Sequence, residues 1–267
     1  MGQAVIGQEG LARFRKAKAE EIARLKAHPP SLPAPLARPD FLASLKLGQK
    51  ARGLAVIAEY KRASPSLGDL KLTLEPLAAA KAYAKADAIS VLTEETYFKG
   101  SLAYLKEIAQ NLKPTLRKDF IFIPEQVMET AGTLAAAVLL IVRLTPETQF
   151  LASLIDLAQS YALTPVVEVF NLEELAVARA AGAKVIQVNA RDLATLKVDK
   201  DGPINLITQN PPQKGEFWIA ASGLSSAYDL VKVQKAGFGA ALLGSALMKA
   251  ESPQEALASL LAGLASL

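Results

Sequence analysis

The stretch Pro165–Asn189, PVVEVFNLEELAVARAAGAKVIQVN, decides how this chain is read. Its ends are two short β-branched runs, Pro165–Phe170 and Val185–Asn189, that lack strict apolar–polar alternation. Parallel strands covered on both faces look like this. Between them Asn171 is placed to cap a helix, Glu173 and Glu174 fall in its first turn, and Gly182 stands at its C-terminal stop. The unit is strand, helix, strand, and its first strand carries a glutamate, Glu168, where an aliphatic residue would be expected.

The same unit recurs along the chain. Strands are predicted over Leu54–Glu59, Ala88–Thr93, Thr115–Lys118 and Ala136–Val142, then Pro165–Phe170, Val185–Asn189, Phe217–Ala221 and Ala240–Gly244. Helical runs fill the gaps. IPEQVMETAGTLA opens on a proline near a helix N-terminus, and SSAYDLVKVQKAGF ends at Gly237. Eight such units predict an α/β fold, a (β/α)8 barrel over residues 53–267, in preference to a doubly wound sheet. Residues 1–52 are an N-terminal helical extension and linker outside the eightfold count. Within it, EGLARFRKAKAEEIARLKAH sets Leu11, Phe14, Ile22 and Leu25 on a rough helical period and is too charged for a signal peptide.

Composition removes several kinds of chemistry. The 267 residues are 51% hydrophobic and contain no cysteine. Such a chain buries roughly 70–75% of its unfolded surface and needs no cross-links. Disulfides, thiolate zinc sites and cysteine nucleophiles are excluded. The single histidine, His28, lies in the proline-rich run KAHPPSLPAPLARP and reads as a solvated loop residue. Histidine triads and most transition-metal sites are therefore out, and no metal is expected. The net charge of +4 is interleaved along helical faces, so neither nucleic acid nor membrane is an expected partner. The longest apolar runs fall short of the roughly 20 residues that span a bilayer. A soluble, cytoplasmic monomer is the expectation. The chain closes soon after strand eight, so no fused second enzyme is expected.

Acid–base work must then come from Lys, Glu, Asp, Tyr or Arg, and these residues gather at strand ends. Strand one ends in Glu59 and Lys61, whose two-residue spacing places them on one face. Strand three ends in Arg117 and Lys118, strand five carries Glu168, and strand six ends in Asn189 and Arg191. A barrel concentrates its chemistry at the C-terminal ends of its strands. Crowded lysines depress one another's pKa and burial raises that of a glutamate, so both move toward working pH. After strands seven and eight come ASGL, with Ser222 and Gly223, and LLGSALM, with Gly244 and Ser245. Small residues let backbone N–H groups approach an anion, and this is the usual phosphate position on such barrels.

IAEYKRASPS, ISVLTEETYFKGS, LRKDFI, AVLLIV, VVEV, VNARDL and ASGL…LLGSALM occur in order, and with them the chain resembles the indole-3-glycerol phosphate synthases from Ala55 to about Glu255. Two motifs are specific: E-x-K-x-x-S-P-S, here Glu59, Lys61, Ser64, Pro65 and Ser66, and L-R-K-D-F around Lys118. The resemblance implies closure of the indole ring of 1-(2-carboxyphenylamino)-1-deoxyribulose 5-phosphate, with release of carbon dioxide and water and without a cofactor. It makes Lys118 the general acid at the substrate carbonyl and Glu59 and Glu168 the acid–base carboxylates. Lys61 is either a carboxylate-binding charge or the dehydration acid. Ser64, Pro65, Ser66, Asn189 and Arg191 become substrate-binding residues, and Ser222, Gly223, Gly244 and Ser245 the phosphate-binding turns. The partner is a small anionic phosphosugar. One position departs from the pattern: Ala221 stands where the family has a glutamate before the serine of strand seven. Two alternatives accompany the reading, a different phosphosugar barrel such as an aldolase forming a Schiff base on Lys118, and a weakly active or non-catalytic homologue.

Overall fold

The computed structural model describes residues 11–31, 36–111 and 113–266. Eight parallel strands pair in chain order and close into a barrel. They are β1 Ala55–Tyr60, β2 Ala88–Leu92, β3 Thr115–Lys118, β4 Ala137–Ile141, β5 Thr164–Val169, β6 Val185–Asn189, β7 Phe217–Ala221 and β8 Ala240–Leu243. Closure is made by β1 against β8, with Ala55 beside Ala240 and Ala58 beside Leu243. All eight predicted strands are present, and each end lies within one residue of its expected position. A short antiparallel hairpin, Ala63–Ser64 with Gly68–Asp69, follows β1 over the mouth.

The local chemistry of the opening stretch accounts for its shape. The Asn171 side chain accepts from the Glu174 backbone N–H at 2.9 Å and starts the helix Leu172–Ala180. Gly182 follows that helix at φ 86°, a conformation that favours glycine. The helix after β7, Ala227–Ala236, is opened by a reciprocal cap between Ser226 and Asp229.

Side-chain alternation sorts the barrel into two cores. Val56, Ala58, Val138, Leu140, Val167, Ile186 and Val188 point outward beneath the helices. Ala55, Ile57, Leu116, Leu139, Val166, Val185 and Ile219 fill the interior. Extending the inward set by two residues toward the C-terminal mouth reaches Glu59 from Ile57, Lys118 from Leu116, Glu168 from Val166 and Ala221 from Ile219.

The same alternation corrects one expectation. Arg117 does not face the mouth with Lys118; it points outward and is completely buried. Its guanidinium bonds Asp119 at 3.0 Å, Glu129 at 3.1 Å, Thr130 Oγ1 at 3.1 Å and Glu21 at 3.3 Å. Lys18 of the extension reaches Asp119 at 2.9 Å, and Thr93 Oγ1 donates to Asp119 at 2.6 Å. Burial works against both charges, lowering the pKa of Arg117 and raising that of Asp119. Their mutual attraction, with Glu129 and Glu21 on one side and Lys18 on the other, outweighs burial and drives both shifts the opposite way.

That network clamps the extension to the barrel. The helix predicted over Glu9–His28 is broken at Lys18 into residues 11–17 and α1, Ala19–Ala27. At the mouth Phe14 stacks on Phe120 with ring centroids 4.2 Å apart, and Arg13 donates to the Leu193 carbonyl at 2.9 Å. Lower down, Arg24 pairs with Glu129 at 2.7 Å. His28 is exposed, as read from the sequence. Positions 32–35 of the proline-rich run lie outside the described residues. Beyond it, Arg38 donates to the Ala135 carbonyl at 2.7 Å. Then α2, Phe41–Arg52, buries Phe41 and Leu45 fully and ends at Gly53, φ 77°. The extension thus runs from the mouth of the barrel to the N-terminal ends of its strands. Among the described residues no helix is long and apolar enough to cross a membrane.

Removing Arg117 takes the guanidinium from buried Asp119, leaving it Lys18 and Thr93, and leaves the half-buried Glu129 to Arg24. Arg117→Met is expected to lose about 3–5 kcal/mol of stability, read as a lower urea midpoint. The depressed Asp119 pKa also sets a pH dependence. Its contribution is present above the unfolded carboxylate value and is lost as pH falls through the lower folded one. The variant's deficit should therefore shrink in acid.

Candidate active site

The C-terminal mouth holds a cavity of about 340 Å³. Every site residue singled out from the sequence borders it. Glu59, Lys61, Ser64, Pro65 and Ser66 come from β1 and its hairpin, and Lys118 from β3. Glu168 comes from β5, Asn189 and Arg191 from β6, and the pairs Ser222–Gly223 and Gly244–Ser245 from the turns after β7 and β8.

Two ammonium–carboxylate pairs face this space. Lys61 Nζ lies 2.8 Å from Glu59 Oε1, two residues that the spacing had placed on one face. Lys118 Nζ lies 3.4 Å from Glu168 Oε2, joining residues from β3 and β5. Both carboxylates are buried, Glu59 at 3% exposure and Glu168 at 2%. Charges this desolvated persist only when paired or hydrogen-bonded. Glu168 has two amide donors besides the lysine: Asn189 Nδ2 at 3.0 Å to Oε1, and Gln187 Nε2 to Oε2. Glu59 differs, because its Oε2 is buried with no hydrogen bond from the described residues, as is Ser64 Oγ.

Arg191 spans the mouth. It donates to the Leu196 carbonyl at 2.9 Å and to Ser66 Oγ at 3.2 Å, tying the β6 loop to the β1 hairpin. Burial pulls its pKa down while the Glu59 charge holds it up. A guanidinium starts so far above neutrality that it stays cationic.

The last two turns are built differently from each other. Ser222 and Gly223 both adopt left-handed backbone, φ 70° and 74°. This conformation is uncommon for serine, and it sits at the cavity rim. A helix does not begin there; it starts only after the Ser226 cap. After β8 a five-residue helix, Ser245–Lys249, begins at once with Gly244 as its N-cap. Its first backbone N–H groups have no partner within the helix. Gly244 is also a packing requirement, since a Cβ there would lie 2.3 Å from Glu59 Oε1 and 3.1 Å from Lys61 Nζ.

Sequence reasoning missed the apolar half of the cavity. Phe14, Phe98, Phe120, Leu139, Ile141 and Leu242 line it. Phe120 stood in the L-R-K-D-F motif, and Phe14 on the apolar face of the first helix, so the signals read as core. Lys200 was also missed. It lines the rim beside Gly223 and pairs with Asp229 at 3.7 Å. An aromatic wall facing ion pairs suits a planar, anionic molecule.

Acid–base groups at the mouth of a closed parallel barrel are the mark of the (β/α)8-barrel enzymes as a class. Solved structures agree on the fold. A 3-hexulose-6-phosphate synthase matches at TM-score 0.61 with 19% identity over 79% of this chain and 99% of that one. A thiamine phosphate pyrophosphorylase from Pyrococcus furiosus matches at TM-score 0.56 with 17% identity over 80% of this chain and 96% of that one. Within the class, the chain belongs to the indole-3-glycerol phosphate synthase family, whose family model matches residues 11–260. It is 42% identical to the indole-3-glycerol phosphate synthase of Aquifex aeolicus over 78% of this chain and 82% of that protein. To that of Salinibacter ruber it is 43% identical over 81% of each. To that of Streptococcus pneumoniae it is 38% identical over 92% of this chain and 95% of the relative.

Gly244→Ala tests the packing of the first ion pair. The atoms that an added Cβ would meet are the ends of the Glu59 and Lys61 side chains rather than backbone, so the fold should survive. The added methyl should displace the Glu59 carboxylate and cut turnover about 100-fold, the usual result of an ångström-scale misplacement. Steady-state kinetics beside circular dichroism check this.

Proposed function

We infer that this chain is a carboxy-lyase that closes the indole ring of 1-(2-carboxyphenylamino)-1-deoxyribulose 5-phosphate to form indole-3-glycerol phosphate. One observation carries the reading: two separate lysine–carboxylate pairs, from β1 and from β3 with β5, face one cavity with an aromatic wall. The reaction has two proton-demanding stages, and one acid and one carboxylate stand ready for each.

In ring closure the aromatic carbon that bears the carboxylate attacks the ketone carbon. The carbonyl oxygen gains charge as the bond forms, and the Lys118 ammonium supplies its proton. Carbon dioxide then leaves, and the electron pair of the broken bond restores the aromatic ring. Dehydration follows. An acid protonates the leaving hydroxyl and a carboxylate takes the remaining proton. Lys61 with Glu59 is assigned to this step, and Glu168 to orienting Lys118. Asn189, Arg191 and the Ser64–Pro65–Ser66 hairpin bind the substrate, with Arg191 supplying positive charge. Ser222, Gly223, Gly244 and Ser245 hold the phosphate through backbone N–H groups and hydroxyls, with Lys200 adding charge at the rim. Neither metal nor organic cofactor enters this scheme. The enzyme acts in tryptophan biosynthesis, and we place it in the cytoplasm.

The test is a fluorescence assay for indole formation from the carboxyphenylamino substrate, run beside borohydride trapping with a ketose phosphate. Indole formation without a covalent adduct supports the synthase. An adduct on Lys118 without indole formation would move the chain to the Schiff-base aldolases. Lys118→Ala should lower turnover about 10²–10⁴-fold, the worth of a positioned acid, with the fold retained.

Ala221 lies inward, buried against the cavity, at the position where the family carries a glutamate. Restoring the charge in Ala221→Glu should raise the turnover number more than it improves the Michaelis constant, as for an interaction made mainly in the transition state. Equal or lower turnover in the glutamate form would count Ala221 as a neutral variation.

A further inference from the structure

Gln187 sits in the middle of β6, between Val185 and Asn189, with its side chain inside the barrel and no exposed surface. Its Nε2 donates to Glu168 Oε2, while its Oε1 is buried with no hydrogen-bond partner among the described residues. It is not among the residues that border the cavity, so it does not touch a substrate placed there. Its register neighbours are Glu168 on β5 and Ile219 on β7. Valines and isoleucines fill the layers below and beside it. A methionine or leucine would pack there without burying an amide whose acceptor goes unpaired.

The retained amide has a use that the two ion pairs reveal. Lys61 lies close to Glu59 at 2.8 Å, and the Oε2 of Glu59 has no hydrogen bond from the described residues. Glu168 is held on Oε1 by Asn189 and on Oε2 by Gln187, while Lys118 stands off at 3.4 Å. Neutral donors satisfy a buried carboxylate without adding a charge and fix its plane. They also take over the bonds that a lysine would otherwise have to make. A lysine that need not satisfy its carboxylate alone can turn its ammonium toward the ketone oxygen of the substrate.

We propose that Gln187 is a positioning residue: by occupying Glu168 with a neutral hydrogen bond it keeps Lys118 free to act on the substrate carbonyl. The proposal rests on the activity inferred above.

The experiment compares wild type, Gln187→Met, Glu168→Gln and the double variant in the indole-formation assay, with thermal unfolding of each. Methionine keeps the volume and removes the amide. Turnover of Gln187→Met should fall about 10- to 100-fold, the worth of a hydrogen bond to a charged group. Its Michaelis constant should stay within about twofold, because Gln187 does not reach the cavity. Its melting temperature should change little, since Lys118 takes over the bond that Glu168 loses and an unpaired buried acceptor goes with the amide. In the Glu168→Gln background the same substitution should add little further loss, because both changes cut one pathway. Unchanged turnover in Gln187→Met would overturn the proposal, as would a lower melting temperature with turnover kept, or losses that add in the double variant. Should the methionine form fail to fold, Gln187→Asn decides: the shortened amide loses its reach to Glu168, and full turnover there would overturn the assignment. Wild-type turnover reports on the reaction, and the difference between wild type and variant reports on Gln187, so failure of one reading is distinct from failure of the other.

Discussion

Two carboxylates buried at the top of a closed barrel set the terms for the rest of this molecule. Glu59 and Glu168 are almost wholly removed from water, and an ionised carboxylate in such a place needs compensation. The compensation could not come from sequence neighbours alone. Lys61 follows Glu59 by two residues, but Glu168 draws on Lys118 from β3 and on Gln187 and Asn189 from β6. Only a closed ring of strands brings these residues together, so the charge balance of the site depends on barrel closure.

The two carboxylates are satisfied differently. Glu168 is held by amides with a lysine standing off, whereas Glu59 is held by a lysine and has one oxygen without a partner among the described residues. The backbone has adjusted to the second arrangement. Gly244 leaves the space that the Glu59 carboxylate fills, and β8 turns straight into a short helix at that point. Packing of the last strand and chemistry on the first strand are therefore one constraint.

A second buried charge network sits on the outer face of β3 and has a mechanical role. Arg117 and Asp119 flank Lys118 and recruit Lys18, Glu21 and Glu129. They pin the N-terminal extension to the strand end that carries Lys118. The same contact delivers Phe14 to the cavity wall against Phe120. Buried ion networks of this kind add little net stability over apolar packing but are costly to break. What this one contributes is a fixed geometry at the β3 terminus.

Much of this was legible in the residues, for physical reasons. Parallel strands covered on both faces appear as unalternating apolar runs, and asparagine and glycine mark the helix boundaries. The eightfold count and the strand limits could therefore be read directly. Period-two alternation placed Glu59 and Lys61 on one face without coordinates. Arg117 shows the limit of that reading, since it was grouped with its neighbour Lys118 by position although alternation sends the two side chains to opposite faces. Phe14, Gln187 and Lys200 were invisible for a different reason. A core aromatic and a wall aromatic have the same sequence pattern, and an amide within a strand carries no mark of the carboxylate it meets. Their partners lie on other strands, helices and loops. The sequence by itself determined the barrel and the ring of charges at its mouth, because both follow from local periodicity. Which charge pairs with which, and which apolar residues wall the cavity, was decided only when closure of the barrel set distant strand ends within hydrogen-bonding distance.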